Sequence, residues 1–173
     1  DKMVVKSKGY NSIPQILHES KYANTFANGI VTHTFLNVQD YHRYHFPISG
    51  KILEMKTVME QDAIGGLTYW DSKIQRYMLS STNPNWESIE TRQYIIIDNP
   101  TFGKIALVPV GMSQISSVNF EKNLKVGDTV KKGDPLGYFL FGGSDYMMIF
   151  EKGVKLDITI PKTDGEYYDH VLM

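Results

Sequence analysis

Cysteine is absent from the 173 residues, which excludes disulfides, thiolate metal sites and a cysteine nucleophile. Neither sign of charge is in surplus. Eighteen basic residues stand against 19 acidic ones, the net charge is -1, and no run of like charge occurs. Neither a nucleic-acid-binding face nor a charged disordered tail is therefore expected. No apolar stretch reaches the length of a membrane span. Asp1-Lys2-Met3-Val4-Val5 lacks the apolar heart of a secretory leader and reads as the start of a strand, as a chain trimmed or processed upstream would begin. The expected location is cytoplasmic or at a membrane surface.

Helical periodicity is scarce too. One helix is expected, capped by Ser12, with Pro14 in its first turn and Ile13, Ile16 and Leu17 at helical spacing. Strand patterns dominate the rest. Residues 29–36 are β-branched and aromatic, and residues 50–58 alternate apolar and polar. Residues 92–98 and 104–110 are apolar runs around Asn99-Pro100-Thr101-Phe102-Gly103, which predicts a hairpin. Residues 114–120, 136–141 and 146–150 complete the strands. Residues 59–90, with Trp70 and Trp86, are aromatic and irregular and suggest a flap or lid. A hydrophobic fraction of 42% is enough for one core, so one domain over residues 1–173 is expected. The fold class is mainly β (α+β), with barrel-sandwich-like antiparallel sheets and one or two short helices.

Two Gly-Asp pairs, Gly127-Asp128 and Gly133-Asp134, stand six residues apart between short strands. Glycine supplies positive φ and aspartate bonds nearby backbone. The segment is similar to the hairpins of lipoyl and biotinyl carrier domains. The lysine that would be modified, Lys56, precedes the Gly-Asp segment instead of following it, so it is read as a solvent-facing residue of an alternating strand.

Polar candidates for chemistry are few. His42 and His45 lie three positions apart in Asp40-Tyr41-His42-Arg43-Tyr44-His45-Phe46-Pro47. On a helical turn that spacing puts both rings on one face. It suits a metal pair, an acid/base pair or two structural histidines. No third ligand pattern accompanies them, so no metal is expected. His33 reads as packing; His18 and His170 carry no pattern. Gly142-Gly143-Ser144-Asp145 lies between two apolar strands and reads either as a plain hairpin turn or as an activated serine. The Gly-x-Ser-x-Gly elbow of esterases is missing.

These segments together resemble the phosphatidylserine decarboxylase family. Phe35-Leu36 followed by Asp40-Tyr41-His42-Arg43-Tyr44-His45-Phe46-Pro47-Ile48-Ser49-Gly50 is similar to one of its blocks. Val108-Pro109-Val110-Gly111-Met112 is similar to a second, and Lys132-Gly133-Asp134-Pro135-Leu136-Gly137 through Gly142-Gly143-Ser144 to a third. Val5-Lys6-Ser7-Lys8-Gly9-Tyr10 is similar to the family's Lys-Gly stretch before a short helix.

The resemblance implies a pyruvoyl-dependent decarboxylase made from a self-cleaving zymogen. Ser144 would attack the carbonyl of Gly143, and the cut would leave a β chain of residues 1–143 and an α chain of 144–173 whose N-terminus carries the pyruvoyl cofactor. It assigns removal of the Ser144 proton to His45 and return of a proton during decarboxylation to His42. The substrate would be phosphatidylserine or a small, free amino acid, including an aromatic one bound by the rings between Tyr69 and Trp86. Peripheral membrane contact and a homodimer are further expectations. Two departures stand out. The family's orienting aspartate belongs to a Pro-x-Asp-Gly block upstream of Lys6, and Asp145 occupies a position where the family has Ser or Thr. The alternative is an uncut, non-catalytic barrel-sandwich binding module derived from the family.

Overall fold

The computed structural model describes residues 2–5, 8–36, 40–58, 67–73, 75–80, 91–111, 117–140 and 144–157. In chain order the elements are β1 (Lys2–Val5), β2 (Lys8–Ser12), α1 (Ile13–Ile16), a 3-10 turn (Ala23–Phe26), β3 (Ile30–Leu36), β4 (Arg43–His45) and β5 (Gly50–Val58). Then come β6 (Leu67–Asp71), β7 (Arg76–Ser80), β8 (Arg92–Asn99), β9 (Gly103–Gly111), β10 (Val118–Phe120), β11 (Thr129–Val130), β12 (Pro135–Phe139) and β13 (Ser144–Phe150).

The fold is mostly antiparallel β. Six strands form one sheet in the order β11-β5-β8-β9-β13-β3, and three form a second in the order β10-β12-β4. Two separate hairpins, β1-β2 and β6-β7, complete the set. The expected hairpin of β8 and β9 is present, with Asn99 paired to Gly103. The stretch read as irregular, 59–90, contains the β6-β7 hairpin, whose two strands pair from Leu67–Ser80 to Asp71–Arg76. Aromatic and β-branched residues made that strand pair; their clustering hid the period-two pattern. Trp70 is half exposed on β6, while Trp86 lies outside the described residues.

The large sheet is covered on both faces, which explains why its central strand reads as a continuous apolar run. Tyr94, Ile95, Ile96 and Ile97 of β8 are all fully buried. On one face Tyr94, Ile96, Val108, Met147 and Ile149 pack with Ile13, Ile16 and Leu17 at α1 and Phe26 of the 3-10 turn. On the other, Ile95, Ile97, Ile105 and Leu107 meet Tyr44, Phe46, Val118, Leu136 and Phe139 of the small sheet and its edges. The register explains the alternation of β13: Met147 and Ile149 belong to the first core, Tyr146, Met148 and Phe150 to the second.

α1 is only one turn long, and its ends are tied down by side chains. Gln15 Oε1 accepts from Ser12 N at 2.9 Å. At the other end the buried Arg92 donates from Nε to Ile16 O at 2.7 Å and from Nη2 to Gln15 O at 2.9 Å. Those carbonyls would otherwise be buried without partners. Lys56 does not face solvent freely: its Nζ is 2.7 Å from Glu19 Oε2 beyond α1 and lowers the pKa of that exposed carboxyl.

The two Gly-Asp turns form as the sequence predicts. Gly127 and Gly133 have φ of 98° and 89°. Asp128 Oδ2 accepts from Lys125 N at 3.1 Å, and Asp134 Oδ2 from Lys131 N at 2.8 Å. Gly137 has a different reason. A Cβ there would lie 2.0 Å from Asn119 O and 2.6 Å from the Tyr44 ring, so only glycine lets Tyr44 close over β12.

Candidate active site

Ser144 is the first residue of β13, not a turn residue. It pairs with Leu36 of β3 on one side and Gly111 of β9 on the other. It is fully buried, and its Oγ has no hydrogen-bond partner among the described residues. A buried hydroxyl without a partner carries a desolvation cost of about 1–3 kcal/mol. Gly143 lies outside the described residues.

Period-two alternation puts Ser144 on the same face of β13 as Tyr146, toward the small sheet. The Tyr146 ring stands 5.6 Å from that of Tyr44, which stands 4.9 Å from that of Phe139. Tyr44 Oη donates to Asn119 O at 2.8 Å, while Tyr146 Oη has no partner among the described residues. Burial pushes the pKa of both phenols far up, so both are neutral.

The structure separates the two histidines of the Asp40–Pro47 segment. The segment enters an extended strand, not a helical turn, and residues three apart on extended chain point to opposite faces. His42 meets the Phe139 ring edge-on at 6.3 Å, and its backbone carbonyl accepts from Phe139 N at 2.9 Å. It is thus on the interlayer side, beside the end of β12 that leads toward Ser144. Its Nδ1 donates to Asp40 O at 2.5 Å, the tautomer in which Nε2 carries the lone pair. His45 is exposed and pairs with Pro135, at the far end of β12. Its Nδ1 donates to Gly133 O at 3.1 Å, and its Nε2 accepts from Tyr41 Oη at 3.2 Å, with the two rings stacked. Among the described residues Ser144 Oγ is hydrogen-bonded to neither His45 nor His42.

A third histidine, read from the sequence as packing, meets the residue that follows Ser144. His33 of β3 stands opposite Met147, diagonally across from Asp145. Its Nε2 contacts Asp145 Oδ2 in a short ion-pair geometry. Asp145 is fully buried and its Oδ1 has no partner among the described residues, while 38% of the His33 side chain is exposed. The two residues lie 112 positions apart, so no local motif joined them. Among the described residues no group of three or more His, Asp or Glu side chains converges as a metal site would require. No described helix is long and apolar enough to cross a membrane.

The chain is similar to known proteins of one family. The profile of the family described as phosphatidylserine decarboxylase matches residues 1–168. A phosphatidylserine decarboxylase proenzyme of Fusobacterium nucleatum is 31% identical over 152 residues, covering 88% of this chain and 46% of that protein. Phosphatidylserine decarboxylase proenzyme 2 of Oryza sativa is 36% identical over 141 residues, covering 82% and 21%. An L-tryptophan decarboxylase of Psilocybe cyanescens is 32% identical over 174 residues, covering 91% and 37%. The chain thus spans less than half the length of each of these relatives.

Proposed function

The chain belongs to the phosphatidylserine decarboxylase family, and from that premise we propose that it is the core of a pyruvoyl-dependent decarboxylase that cuts itself between Gly143 and Ser144. The observation that carries this reading is the buried Oγ of Ser144, without a partner among the described residues, at the first position of an inner strand. Once its proton is removed, Oγ adds to the carbonyl carbon of Gly143, the peptide C–N bond breaks, and the nitrogen takes up that proton to become an amine, giving an ester. Loss of the Ser144 α-proton then expels residue 143 as a carboxylate and leaves dehydroalanine. Water converts that group to pyruvoyl, releasing ammonia, on the nitrogen of Asp145.

Ser144 fits as the precursor. The pyruvoyl group supplies an electrophilic carbonyl that takes a substrate amine and accepts the electrons left when carbon dioxide departs. The layer formed by Tyr146, Tyr44 and Phe139 keeps water from this end of the sandwich.

The resemblance gives His45 to the serine proton and His42 to the substrate carbanion. The geometry supports a different order for the uncut chain. His42 is the ring on the interlayer side, with Nε2 as its basic nitrogen, whereas His45 is held on the outer surface by Gly133 and Tyr41. We therefore assign the Ser144 proton to His42 and a later or structural role to His45.

The substrate is an α-amino acid, either free or as a phosphatidylserine headgroup. The relatives' names include both kinds. Sedimentation with phosphatidylserine vesicles separates them: binding supports the lipid, and its absence a free amino acid.

The deciding experiment is intact-mass analysis of protein made from the whole coding sequence, beside its Ser144→Ala variant. Expected are two fragments, the smaller beginning at position 144 with a blocked N-terminus, and a single uncut chain for the variant. An uncut parent would end the enzyme reading in favour of a binding module.

A further inference from the structure

We infer that His33 is a positioning residue for the scission at Ser144, acting through Asp145, an inference that rests on the scission reading above. The cut, once made, leaves the new N-terminal group on the nitrogen of Asp145. That residue's carboxyl is fully buried, bonded through one oxygen to His33, and without a partner on the other among the described residues. β3 and β13 pair without a break from Leu36–Ser144 to Ile30–Phe150, so the diagonal that brings the two side chains together is fixed by the sheet.

Two physical consequences follow. The neighbours of Asp145 across the ladder are Val110 and Phe35, residue types that cannot balance a charge. Without His33, a buried carboxylate has to take up a proton or drag its strand toward water. The second change moves Ser144, whose Cα is one peptide unit away, about 3.8 Å. Attack by Ser144 also builds negative charge on the carbonyl oxygen of residue 143, and an unbalanced carboxylate two residues on opposes it. With His33 in place that carboxylate is compensated, and the scission proceeds beside an acid that would otherwise hinder it.

A simple structural pair would affect folding and leave the chemistry alone. His33→Ala, Asp145→Asn and the double variant therefore separate the two roles. Each is made from the whole coding sequence, and the small fragment is followed over time after synthesis in a cell-free translation. Matching Ser144→Ala versions, which stay uncut, give the thermal midpoints. His33→Ala is expected to slow scission by about 10- to 100-fold, the range that one uncompensated buried charge gives. Asp145→Asn removes the charge and keeps the shape, so it and the double variant are expected to cut at the parent rate. Rescue by the second substitution is the result a packing role would not produce. Parent-like scission in His33→Ala, or a double variant as slow as His33→Ala, overturns the inference while leaving the scission reading intact. An uncut parent overturns both.

Discussion

The two ends of β13 are built in opposite ways. Toward its C-terminus Met147, Ile149 and Phe150 are buried among apolar side chains of both layers. Toward its N-terminus the same strand buries Ser144 Oγ, Asp145 Oδ1 and Tyr146 Oη, none with a partner among the described residues. Apolar burial stabilises by about 25 cal/mol per Å², whereas each unpartnered polar atom costs about 1–3 kcal/mol. One end holds the fold, and the other carries the desolvation cost of those polar atoms. The comparison teaches where to look for chemistry in a β-sandwich: at the place where a well-packed strand stops satisfying its polar atoms.

Histidine replacement tests the comparison most severely. His42→Ala is expected to slow scission by about 10²–10⁴, the usual contribution of a general base, and to leave the thermal midpoint near that of the parent. His45→Ala should change scission far less, since its ring is on the outer face. Time courses of fragment formation check both, and the opposite ranking would return the base role to His45.

At the other end, Ile149→Ala should destabilise by about 2–5 kcal/mol through lost burial and the cavity it leaves. Chemical denaturation of the uncut Ser144→Ala protein measures this without interference from cutting. A loss below about 1 kcal/mol would mean that the C-terminal end of β13 is not the anchor described here.

The smallest expected effect is that of Tyr146→Phe. Removing a buried hydroxyl that has no partner should be neutral or stabilising by up to about 1 kcal/mol. A clear loss of stability would reveal a partner for that hydroxyl and weaken the contrast between the two ends.

Much of the fold was legible because its causes are local. The glycines of Gly127-Asp128 and Gly133-Asp134 supply positive φ and the aspartates bond backbone three residues back, so both turns follow from short-range chemistry. The strand of residues 50–58 alternates at its start, where Gly50 and Ile52 are buried and Lys51 between them is exposed. The β6-β7 hairpin was not legible, since its clustered aromatics obscured the alternation. The Asp40–Pro47 histidines were found, but their sharing of a face was tied to a helical turn, and an extended backbone reverses it.

By itself, then, the sequence determined a β-rich chain, its turns and the serine around which a candidate chemistry is built, because each rests on neighbours within a few residues. Only the tertiary structure decided on which side of the sheets the other candidate groups lie. The inward His42, the outward His45 and the His33–Asp145 pair depend on the register between strands far apart in the chain. Register is set by the burial of both faces of the sheet as a whole, and a slip of one residue would send each of these side chains to the opposite face.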